Sequence, residues 1–184
     1  MSPTYRAAGR VGYVGVGNRD AGATLAYLTN EWLGDSPASV LVTLSSNAFR
    51  GEEEREMGFR GEMRRALGGQ GRAVVEIAES EGLDATIEQL VLDALDRDPT
   101  IGAVYSIGGS NVATIRAFER RGRRYRVFIA HDLDEDDRTL LRTRKISAVL
   151  HHDLRADANI AGRLIIQAHG GMSGVDMSMS TSSR

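Results

Sequence analysis

The sequence predicts an α/β fold with a doubly wound parallel sheet, and two observations lead to it. Five times an apolar run stops at a short polar cluster and an amphipathic helical stretch follows: SVLVTLSSN, RAVVEIAES, IGAVYSIGGSN, RVFIAHD and ISAVLHHD each give way to a helix-patterned segment. This is the rhythm of βαβ units, in which helices cover a parallel sheet. The chain of 184 residues is also long enough for one well-buried domain of that kind. Open sheets of this class bind ligands outside the carboxyl ends of their strands, so the polar clusters are candidate ligand contacts.

The elements follow in order. Residues 1–10 read as a loosely held lead-in. VGYVGVG predicts a Gly-rich strand at 11–17, and Asn18 is expected to cap the helix RDAGATLAYLTNEWL, which ends at Gly34. Strand 39–45 opens the main sheet, and helix 51–67 follows, stopped by GGQG. Then come strand 72–78, helix 83–97, strand 101–107, helix 111–121, strand 125–130, helix 134–144, strand 146–151 and helix 154–168. The tail GMSGVDMSMSTSSR is small, polar and aperiodic, and is expected to be disordered.

Right-handed crossovers place strand 39–45 between strands 72–78 and 101–107. Strand 11–17 and helix 154–168 flank this five-strand unit as orphans. Their apolar positions, Val14, Val16, Ile160, Leu164 and Ile165, call for cover from elsewhere, such as a second copy. The expected organisation is therefore 1–17 as lead-in and orphan strand, 18–151 as the main lobe, 152–170 as crossover and orphan helix, and 171–184 as tail.

The bulk numbers narrow the function. With 23 Lys and Arg against 25 Asp and Glu, the chain as a whole lacks a nucleic-acid-binding charge. Arg120, Arg121, Arg123, Arg124 and Arg126 cluster locally, which reads as a solvated helix end. With no cysteine, disulfides and thiolate metal sites are excluded. No run reaches membrane-spanning length, and MSPTYRAAGRVGYVG has no signal-type apolar core, so a cytoplasmic location is expected.

Several motifs carry polar chemistry. GVGNRDAG lacks the spacing of a dinucleotide fingerprint and reads as a hinge. Arg55, in the first turns of a helix, suits two-pronged contact with a hydroxyl or carboxylate, or pairing with the glutamates around it. SIGGSN sets Ser106 and Asn111 at a strand end where backbone N–H groups are expected to be free, or else forms a turn capped by Ser110. Walker spacing is missing. In HDLDEDD, Asp134 to Asp137 favour a helix start, whereas Asp132 directly follows the strand and is expected at the cleft edge. His151 and His152 are strand neighbours pointing to opposite faces, which argues against a shared metal. Ser46, His131 and Asp132 make a hydrolytic triad on paper, without the nucleophile elbow that would support it.

In order and spacing, GNRDAG, the Arg55–Gly58–Phe59 pattern, AHD and SAVLHHDLRADANIAG resemble the effector-binding region of the lactose-repressor family, which is shared with periplasmic sugar-binding proteins. The resemblance covers roughly residues 11–169. It implies a periplasmic-binding-protein-like lobe with fragments of a second lobe, the effector lying between lobes. On that pattern the effector-contacting residues are Arg55, Ser106, Asn111, Asp132 and His152. Ile107–Gly108 and Gly17 depart from the family pattern and leave the effector's identity open.

The resemblance implies the sugar-effector domain of a transcriptional regulator without its DNA-binding headpiece, acting allosterically and without turnover. DNA would be reached only through that headpiece, no cofactor, metal or membrane is involved, and a homodimer is expected. The alternative is the sugar-binding component of an ABC-type importer, with the same cleft. An enzyme on this sheet would need a constellation of catalytic groups that the sequence does not present.

Overall fold

The computed structural model describes residues 12, 14–46, 48–66, 72–77 and 79–169. The expected lead-in, the GGQG stop and the tail from residue 171 lie outside the described residues. The elements are α1 (Asn18–Leu33), β1 (Ser39–Thr43), α2 (Arg50–Ala66), β2 (Val74–Ile77), α3 (Asp84–Arg97), β3 (Ile101–Ser106), α4 (Asn111–Arg120), β4 (Val127–His131), α5 (Glu135–Arg142), β5 (Ala148–Leu150) and α6 (Leu154–Ala168). The chain divides into two compact units, Gly17–His151 and the paired segments Met1–Val16 with His152–Arg184.

The first unit holds a five-stranded sheet in the order β2-β1-β3-β4-β5, with every pairing parallel. β1 therefore lies between β2 and β3, as the crossover argument requires. Alternation along each strand builds two cores. Val40, Val42, Tyr105, Val127 and Ile129 pack with Leu25, Leu33, Phe59 and Met63 of α1 and α2. Leu41, Val104, Phe128 and Ala130 face the other way, onto Ile87, Val91 and Leu95 of α3 and Ile115 and Phe118 of α4. β1 and β4 are buried at every residue, which is why their sequences are near-continuous apolar runs.

α1 and α2 meet through glycine. A Cβ on Gly22 would lie 1.9 Å from the Arg55 carbonyl oxygen, and one on Gly58 would lie 2.0 Å from that of Arg19. Neither position accommodates a side chain at this separation. The close crossing brings the start of α1 beside the first turns of α2, where Arg55 sits.

Three arginines of the cluster are engaged in the fold. Arg120 pairs with Glu88 and Arg121 with Asp96, both on α3. Arg123 donates to the carbonyls of Leu95, Pro99 and Ile101, tying the end of α3 to the start of β3.

In the second unit, Asp153 caps α6 by accepting from the backbone N–H groups of Arg155 and Ala156. No residue of α6 is buried, and Leu154, Ile160, Ile165 and Ile166 are exposed. Of the expected strand at 11–17, residues 11 and 13 lie outside the described residues, and Gly12 and 14–17 are not in a strand. A strand needs a ladder partner, and glycine at 12, 15 and 17 raises the entropy cost of extending the segment.

Candidate functional site

The site forms where strand order reverses, because β1 connects to β2 on one side and the chain returns to β3 on the other. A cleft of about 250 Å³ opens at this carboxyl edge. Its walls are Ile107, Gly108, Gly109 and Asn111 after β3, His131 and Asp132 at the end of β4, Asp134 and Asp137 at the start of α5, and Glu52 from α2.

Arg55 is positioned from two directions. Its Nε donates to Asn18 Oδ1 at 3.0 Å, and its Nη1 donates to Asp132 Oδ2 at 3.1 Å. The Arg55 side chain is largely buried while the Asp132 side chain is more than half exposed, so the pair runs from the α1–α2 crossing out to the cleft rim. Asn18 is therefore the first residue of α1 and a hydrogen-bond acceptor for Arg55. It is not the expected cap; Gly17 stands at the N-cap and makes no side-chain bond. Pairing of Arg55 with its neighbouring glutamates, the other reading of its sequence, gives way to these contacts.

Asp132 adopts a left-handed conformation with φ 63°, which Asp tolerates better than most residues. Its backbone N–H donates to Leu150 of β5 at 3.0 Å, fixing the turn that aims its carboxylate. His131 is buried, and its Nε2 shares a 2.7 Å hydrogen bond with the Tyr105 hydroxyl. Burial pushes the Tyr105 hydroxyl far up, so it stays protonated. Tyr105 in turn stacks on Phe59 at 4.4 Å. The paper triad does not form, because the His131 Nε2 faces Tyr105.

Asn111 begins α4 and is buried; its Nδ2 donates to Asp137 Oδ1 at 2.7 Å. Its Oδ1 is buried too and has no hydrogen-bond partner among the described residues. Burial pushes the Asp137 carboxyl up to about 6, with the carboxylates of Asp134, Asp136 and Asp132 adding in the same direction and the Asn111 hydrogen bond opposing. Asp134 caps α5 by accepting from the Asp137 N–H at 2.7 Å. Glu52 is anchored by the Ser45 backbone N–H and hydroxyl.

Ser106 has a different place. Its hydroxyl donates to the Gly109 carbonyl at 3.1 Å and accepts from Thr43 Oγ1 at 3.2 Å, holding the turn after β3. It is buried and is not part of the cleft wall. The backbone N–H groups expected to be free here are partly engaged, since Ile107 and Gly108 both donate to Thr43. Gly108 is required: a Cβ would lie 2.1 Å from Ser45 N. Ser110 occupies the N-cap in a left-handed conformation and makes no capping side-chain bond, contrary to the sequence reading. His152 belongs to the second unit, where its Nδ1 lies 2.6 Å from Asp157 Oδ2. Of the sequence-derived residues, the cleft brings together Asn111 and Asp132, with Arg55 bonded to the latter. Asn18, Glu52, Asp134 and Asp137 were missed, because each looks like a helix-start residue in the sequence.

The family model for the periplasmic binding protein domain matches residues 4–171. The chain belongs to this family. Among solved structures, the periplasmic-binding-protein fold here is similar to an arabinose-binding protein of Geobacillus stearothermophilus, with 19% identity and a TM-score of 0.78 over 93% of this chain and 58% of that one. It is similar to a glucose-galactose-binding protein of the same species, with 20% identity and a TM-score of 0.77 over 95% of this chain and 61% of the other. A Burkholderia graminis ABC transporter solute-binding protein in complex with D-arabinose matches at 20% identity, with a TM-score of 0.76 over 90% of this chain and 58% of that one. The chain thus spans less than two thirds of each of these binding proteins. No curated protein matches the sequence. The lactose-repressor branch is a finer assignment than these matches carry.

Proposed function

We propose that the chain is a sugar-binding lobe, in which Arg55, Asn111 and Asp132 hold hydroxyl groups at the carboxyl edge of the sheet. The observation that carries this reading is the Arg55–Asp132 pair, aimed at the cleft from α2 and β4. A vicinal diol offers a donor and an acceptor on each oxygen and so matches a guanidinium beside a carboxylate. The names of the solved relatives, which are sugar-binding and solute-binding proteins, support the ligand class. Ser106 acts in this reading by shaping the turn that presents Asn111.

The lobe works by binding without turnover. Two settings use the same cleft. The names of the relatives favour an importer's binding component, with the ligand handed on unchanged. The AHD strand end and SAVLHHDLRADANIAG favour the effector domain of a cytoplasmic, dimeric regulator, in which ligand binding biases a DNA-binding headpiece. A helix-turn-helix in the encoding gene selects the second setting, and an export signal the first.

Calorimetric titration with a panel of pentoses and hexoses tests the common claim, with circular dichroism as the folding control. Wild-type chain is expected to bind a member of the panel and to release it chemically unchanged. Arg55→Ala is expected to weaken that binding about tenfold, roughly the loss of one charge-assisted hydrogen bond. Equal affinity in the two proteins would refute the site.

A further inference from the structure

The cleft is unbalanced in charge and in hydrogen bonding beyond what a neutral sugar requires. Glu52, Asp132, Asp134 and Asp137 all line it, and among the described residues no Lys or Arg forms part of its walls, Arg55 reaching it only at the rim through Asp132. Arg55 compensates Asp132 alone. A second, independent observation points the same way. Asn111 is only 6% exposed and lines the cleft. Its Nδ2 is engaged by Asp137, and its buried Oδ1 has no partner among the described residues. The wall therefore presents four carboxylates against a single paired cation, and one amide oxygen, Asn111 Oδ1, that lacks a donor among the described residues. A metal ion is not the match, because among the described residues no three His, Cys, Asp or Glu side chains are disposed to hold one. An ammonium group is: it supplies three donors and a positive charge, whereas a hydroxyl supplies one donor and no charge. A carboxylate or phosphate supplies acceptors and negative charge, and is repelled.

We propose that this cleft selects a sugar carrying a protonated amino group, the ammonium seated among Asn111, Asp134 and Asp137, and that it excludes acidic and phosphorylated sugars. The proposal rests on the sugar-binding reading and names its ligand class.

The test titrates the full chain calorimetrically near neutral pH and at low ionic strength. The ligands are matched trios: glucose, galactose and mannose, each as the neutral sugar, the 2-amino sugar and the uronic acid. In at least one trio the amino sugar is expected to bind about tenfold tighter than its neutral parent, the uronic acid giving no heat of binding. Added salt should shrink the advantage. Asp134→Asn should shrink it too with the fold kept, as circular dichroism checks, since Asn caps a helix nearly as well as Asp. A neutral sugar binding as tightly as its amino counterpart, or a uronic acid binding at all, overturns the proposal and leaves the sugar-binding reading standing. If no member of any trio binds, this proposal falls, and the sugar-binding reading stands or falls on the wider panel of pentoses and hexoses.

Discussion

Asn111 at the start of α4 and Asp137 in the first turn of α5 are joined by a 2.7 Å hydrogen bond that closes the back of the cleft. The bond leaves Asp137 a buried carboxyl, pushed up from 3.8 to about 6 chiefly by burial. A raised carboxyl favours the folded state fully below its unfolded value, and that contribution is lost as pH rises through its folded value. Asp137→Asn removes the buried charge and keeps an acceptor for the Asn111 amide. It should therefore stabilise the chain above about pH 6, by at most about 3 kcal/mol, and give no gain near pH 4. Thermal melts of both proteins across this range check the sign; a constant difference at every pH would contradict it.

Asn18 is expected to act through Arg55. Asn18→Ala removes the acceptor for Arg55 Nε and leaves the guanidinium held by Asp132 alone. Ligand affinity should fall about five- to tenfold, with a stability loss of about 1 kcal/mol or less. Asn18→Asp, which keeps an acceptor there, should restore most of the affinity. Calorimetry and melting temperatures of the two variants separate this positioning role from a general loss of fold.

The α1–α2 crossing predicts opposite outcomes at two glycines. Gly22→Ala would set a Cβ 1.9 Å from the Arg55 carbonyl and force the helices apart, costing about 3 kcal/mol or more and displacing Arg55. Gly61→Ala, in the same α2 where a Cβ meets nothing within 4 Å, should stabilise by about 0.5–1 kcal/mol. Denaturant unfolding of the two variants measures both.

The sheet was legible because β1, β3 and β4 are buried on both faces and so read as continuous apolar runs. The edge strands are less distinct in the sequence, and β5 shrank from the expected 146–151 to Ala148–Leu150 because only β4 pairs with it. The Arg55–Asp132 pair was legible as two residues, each following a strand end, although not as a pair. Sequence spacing does not reveal which polar groups satisfy one another. Ser106 and Asn111 look equivalent in SIGGSN, yet the first bonds both Thr43 and Gly109 while the second keeps an open acceptor. Asn18 looks like a cap because the α1–α2 approach that turns it to Arg55 depends on Gly22 and Gly58, far apart in the chain. Residues 12 and 14–17 form no strand for the converse reason: among the described residues nothing pairs with them, and an apolar pattern without a pairing partner does not make a strand.

The central claim is that a sugar binds at the carboxyl edge of this sheet, and amide chemical-shift mapping by NMR tests it most directly, since it registers weak binding residue by residue. On titration with pentoses and hexoses, neutral and 2-amino, saturable shifts are expected at Gly108, Gly109, Asn111 and Asp132, and their midpoint is expected at about tenfold higher ligand concentration in Arg55→Ala. Saturable shifts elsewhere on the chain, with those four residues unmoved, would contradict the account.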